Sequence, residues 1–168
     1  MLYDIRPEQV RLLNEELGVR VEAAISGIAL IHGPGHGGHA WVTFNAMRRQ
    51  PDGFKHPAGT GIFSIECCVA AAAGYPNEDV RKWGDTGDIY EVLDSPWIAA
   101  IEKNNRECFP DVPYTEGARH IAIAGHDESC QFIALKPYGS LAKAVEFHCD
   151  PRPYEEILAD IIPQFLQG

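Results

Sequence analysis

The chain has 168 residues, 45% hydrophobic and 23% charged, a length and balance that predict one domain spanning 1–168 with a core that needs no disulfide or metal staple. Its 24 acidic against 14 basic side chains leave a net charge of −10, which repels phosphate backbones and argues against nucleic acid as a partner. No apolar run reaches the roughly 18 residues of a membrane span, and Met1–Pro7 lacks the basic start and apolar stretch of a signal peptide, so a cytoplasmic location is expected.

From the N-terminus, residues 4–17 predict a helix: Val10, Leu13 and Leu17 share a stripe, Asp4 caps it, Pro7 sits in its first turn and Gly18 ends it. Val19–His32 predicts a strand bent at Gly27, where the alternation changes phase. Gly33–Gly38 predicts a loop and His39–Met47 a second strand. Arg48–Thr60, with Pro51, Asp52-Gly53 and Pro57, predicts a further loop. Ile62–Val69 predicts a third strand, and Ala70–Ala73 reads as its extension or as the opening of a helix. Gly74–Gly87 is turn-rich around Trp83.

Ile89–Leu93 predicts a short strand. Asp94-Ser95-Pro96 then marks a helix start, with Ser95 as cap and Pro96 at the first helical position, running to about Glu107. Arg119–Ala124 and Cys130–Leu135 predict a hairpin around Gly125–Ser129, and Ala142–His148 a third strand completing a meander. Pro153–Leu166 predicts a C-terminal helix, buried through Tyr154, Ile157, Leu158 and Ile161 and kinked at Pro163. The expected fold is α+β: a mainly antiparallel sheet of six to seven strands, with N-terminal, central and C-terminal helices packed on it.

Three imidazoles, His32, His36 and His39, fall within eight residues of a glycine-rich stretch. Neutral imidazole ligates zinc or nickel, and three histidines plus a water form an open catalytic zinc site. His126 or Asp127 is a candidate fourth group. The same stretch carries Gly33, Gly35 and Gly38 at dinucleotide-loop spacing, yet strand-forming residues follow where that fold needs a helix. Gly125–Cys130 gathers a histidine, two carboxylates, a hydroxyl and a thiol, which reads as a Cys–His pair or as a solvated hairpin tip. The five cysteines, an odd number without a Cys-x-x-Cys pair, predict reduced, mostly buried thiols.

Trp83 with Asp85, Asp88 and Glu91 offers an acidic, aromatic surface for a basic protein partner. The competing reading has Trp83 plugging its loop onto the sheet. The function expected from these features is a non-enzymatic protein-binding module: an inhibitor, an immunity-type protein or an accessory protein. The alternative is a metal-binding protein or metal-dependent hydrolase built on His32, His36 and His39. A homo-oligomer paired through edge strands fits either function.

Overall fold

Runs of β-branched and small apolar residues build a sheet larger than the sequence pattern predicts. The computed structural model describes residues 5–13, 20–31, 38–49, 51–74, 79–135, 145–150, 152, 155–157, 159–160 and 163. The strands are β1 (Val10–Leu12), β2 (Arg20–Ile31), β3 (Gly38–Arg49), β4 (Lys55–Gly74), β5 (Ile89–Val92), β6 (Arg119–Ala124), β7 (Ser129–Ala134) and β8 (Val145–Asp150). They form one eight-stranded sheet in the order β1-β5-β6-β7-β4-β3-β2, with β8 also on β4. Every pairing is antiparallel. Among the described residues, no helix is long and apolar enough to cross a membrane.

This corrects the expected frame of six to seven strands and three helices. Where a helix is predicted over 4–17, the chain makes a 3-10 turn at Pro7–Gln9 and enters β1. Tertiary pairing overrides the local helical pattern there: Val10–Leu12 pairs with β5, Leu93 N donates to Gln9 O, and Leu13 N donates to Ile89 O. One complete α-helix is described, α1 (Pro96–Cys108). Near the C-terminus, residues 155–157, 159–160 and 163 have helical backbone, without a complete helix among the described residues.

The predicted loop over Arg48–Thr60 shrinks to a turn, because β3 runs to Arg49 and β4 begins at Lys55. Among the described residues β8 pairs with β4 from Thr60 to Ile65, so Pro57 lies outside that ladder. Its missing N–H therefore costs no bond on that side. Residues 66–74 continue β4 as strand. The meander is also corrected: β7 has β6 on one edge and β4 on the other, so β8 pairs with β4 instead.

Both faces of β6 and β7 are buried. On one face, Ala122 and Ala124 pack with Trp83, Tyr90, Val92 and Ile5. Ile121, Ile123 and Phe132 fill the other. Alanines on the first face leave room for the two large rings, which meet edge to face at 5.7 Å.

The start of α1 is fastened to that first face by polar groups. Ser95 Oγ accepts from Ile98 N, capping the helix, and lies 2.8 Å from His120 Nδ1. His120 Nε2 is 3.2 Å from Gln131 Oε1. The amide oxygen can only accept, so Nε2 carries the proton and Nδ1 accepts from the serine hydroxyl. Trp97 meets the imidazole edge-on at 5.6 Å. Burial, opposed by the Gln131 bond, brings the His120 pKa from 6.5 down to about 4.

The unfolded chain therefore takes up a proton below about pH 6.5 that the folded chain refuses until about pH 4. Stability from this group is intact above that window and falls through it as the pH drops, by roughly 3 kcal/mol across the whole interval. Urea unfolding at about pH 7 and about pH 5 should show the loss, with the His120 ring signals still neutral at the lower value. A folded-state imidazole titrating near 6.5 would overturn this account.

Candidate functional site

Of the predicted metal ligands, His32 and His36 lie outside the described residues. His39 lies in β3, its Cα opposite Ile31 of β2. Among the described residues no group of three His, Cys, Asp or Glu side chains is placed to hold a metal ion.

Trp83 is 4% exposed and belongs to the core, so the loop-plug reading describes its placement. Asp88 is buried and accepts from the Tyr90 hydroxyl at 3.1 Å. Asp85 is exposed, and its backbone N donates to the same hydroxyl at 3.0 Å. Burial first, then the neighbouring carboxylates, pushes the Tyr90 pKa up to about 12 despite the Asp85 N–H. Glu91 points to the opposite face from Tyr90, since successive residues of a strand alternate. It is clamped between Arg11, across the ladder in β1, and Arg119 Nε of β6 at 2.7 Å. Burial raises the Glu91 pKa, but the two guanidiniums outweigh it and hold the carboxyl below its ordinary value. The four residues are therefore not brought together on one exposed surface.

Arg81 organises this loop, and the sequence reading missed it. Its buried guanidinium donates to Gly84 O (3.0 Å), Gly125 O (2.8 Å), Ser129 Oγ (3.1 Å) and Thr86 Oγ1 (2.8 Å), and lies 5.4 Å from the Trp83 ring centroid. One side chain thus ties the Trp83 loop to the β6–β7 hairpin. A basic residue two before a tryptophan in a glycine-rich turn was the available signal.

At the tip of that hairpin, His126 Nδ1 meets Asp127 Oδ1 at 2.9 Å in solvent. Ser129 is engaged by Arg81, and Cys130 is buried with its thiol pKa pushed up by desolvation. Ser129 and Cys130 lie on opposite faces of β7. No Cys–His pair forms. Ser95–His120–Gln131 has the chain order of a nucleophile, base and orienting group, but Ser95 caps α1 and all three are buried. Cys68 is likewise buried, its thiol pushed by desolvation to about 11, far from the depressed values of reactive thiols. Cys67 is half-buried and Cys108 exposed, so the expectation of buried thiols fails at Cys108.

The segment after α1 is different. Phe109, Val112 and Tyr114 are 59%, 51% and 42% exposed, yet the backbone that carries them is fixed. Phe109 N donates to Asn105 O, Val112 N to Phe109 O and Ala118 N to Thr115 O. Asn105 Nδ2 donates to Val112 O at 3.1 Å. Glu102 accepts from Thr115 N at 3.0 Å, from Thr115 Oγ1 at 2.8 Å and from Arg106 Nε at 2.7 Å. Arg106, then Thr115, holds the Glu102 carboxyl below its ordinary pKa. By sequence alone Phe109–Pro113, with two prolines, reads as the stop of the helix that begins at Pro96. The available signal was three large apolar residues, Phe109, Val112 and Tyr114, interleaved with two prolines that keep them out of helix and strand.

No protein-family model, curated protein or solved structure matches this chain.

The Trp83 loop gives a direct test of its packing. A Cβ at Gly84 would lie 2.4 Å from Tyr90 Cε2 and 2.7 Å from Cζ, and Tyr90 is held by bonds to Asp85 and Asp88. Gly84→Ala should therefore lose roughly 1–3 kcal/mol in urea unfolding. Wild-type stability in this variant would show that the ring can move aside.

Proposed function

We propose that the chain is a non-enzymatic protein-binding module of the inhibitor, immunity or accessory kind. The observation that carries this reading is the ordered segment that holds Phe109, Val112 and Tyr114 in solvent. Large apolar side chains in water cost free energy, and fixing them in advance removes much of the entropy a partner would otherwise have to overcome. Aromatic anchors on a pinned loop are the usual centre of a protein interface. The polar groups that could suggest chemistry support the same reading: Ser95, His120, Gln131 and Ser129 are bonded inside the fold.

The test replaces Phe109, Val112 and Tyr114 together by serine. These side chains are exposed, so the melting temperature should stay close to wild type, while a partner captured from the source cell by the wild-type protein is lost. Capture by the variant equal to wild type would overturn the reading. So would stoichiometric zinc or nickel in protein purified without a tag, if it disappeared on replacing His32, His36 and His39 by alanine.

A further inference from the structure

Resting on that reading, we infer that the 107–116 segment docks a positively charged polypeptide stretch, with lysines or arginines flanking an apolar side chain. Two features converge on this partner. Phe109, Val112 and Tyr114 form the exposed apolar part, and the Val112 N to Phe109 O bond turns the chain so that the first two sit near each other. Glu107, Asp111 and Glu116 are exposed in the same segment, and residues 107–118 contain no lysine or arginine. Arg106, next to the segment in sequence, is paired with Glu102, and Lys103 lies one turn before Glu107 on α1. The segment itself thus carries exposed apolar side chains and exposed carboxylates and no cation of its own, a combination in which a hydrophobic anchor supplies affinity and the charge selects and orients the partner.

The same charges choose between macromolecule classes. Nucleic acids and anionic lipid surfaces would meet three carboxylates and be repelled. A basic polypeptide gains at both steps: long-range attraction speeds the encounter, and the apolar trio, already in place, holds it. The pinning residue Glu102 is distinct from these carboxylates. Its carboxylate is spent on Thr115 and Arg106, so it shapes the surface without facing the partner.

A short peptide alternating lysine and leucine is the probe, with the same peptide carrying glutamate for lysine, and phosphatidylserine vesicles, as the other arms. Amide chemical shifts of the whole protein should move on adding the lysine peptide, saturably and around residues 107–116. Raising salt from about 0.1 M to about 1 M, which shortens the screening length from roughly 10 Å to roughly 3 Å, should weaken binding. The variant Glu107→Gln/Asp111→Asn/Glu116→Gln should bind roughly tenfold more weakly, with an unchanged melting temperature. Shifts centred elsewhere, equal binding by that variant, or preference for the glutamate peptide or the vesicles would overturn the inference. If the lysine peptide fails while the serine variant still loses its captured partner, the basic partner is wrong and the protein-binding reading survives. If the serine variant captures as wild type does, that reading falls.

Discussion

The sheet depends on the change of partner along β4. One edge of this strand pairs with β3 from Lys55 to Cys68, while the other takes β8 over Thr60–Ile65 and β7 over Cys68–Gly74. Cys68 is opposite Gly38 and Ala134 at once. Among the described residues, the ladder joins β1, β5, β6 and β7 to β2 and β3 through these last residues of β4. The handover occurs at an irregularity: Cys67 has φ 51° and the register shifts between Cys68 and Ala70. A left-handed non-glycine residue costs about 1–2 kcal/mol. That cost is offset because the Cys67 carbonyl accepts from Leu135 N at 3.0 Å and the ladder resumes beyond it.

This arrangement explains which elements were legible in the sequence. The 119–134 hairpin and α1 are specified locally, by a polar turn between two apolar runs and by Ser95-Pro96 at a helix start. Local signals suffice for them because their partners are neighbours in sequence. β1 and β8 are specified by distant partners. Val10–Leu12 has helical spacing and still becomes a strand, because β5 offers an open edge and Arg11 meets Glu91 there. β8 follows β7 in sequence but not in the sheet, because β4 already occupies the free edge of β7. A single sequence displays apolar periodicity, not which edges are already taken.

The placement of the acidic and aromatic residues was not legible in the sequence. By sequence alone, Trp83 with Asp85, Asp88 and Glu91 reads as one acidic, aromatic surface. In the fold, strand alternation separates Glu91 from Tyr90, and Trp83 packs over Ala122 and Ala124 beside Arg81. A large ring next to small residues two apart on an adjacent strand is drawn inward, because the alanines leave a volume that nothing else fills. The same residue types at 107–116 are exposed, on a segment that the Glu102 bonds tie to α1.

The −10 charge is therefore of two kinds. Glu91 and Glu102 are committed within the fold. The Glu91 guanidinium clamp joins three strands, and the Glu102 bonds join helix to loop. Such contacts are short, and for the half-buried Glu91 they are shielded from salt. Glu107, Asp111 and Glu116 face water, where screening governs their reach. Salt and substitution should separate the two sets, since only the second can lose its influence while the architecture stays intact. Net charge then describes the molecule poorly, because the carboxylates bonded within the fold and those that face water are different residues.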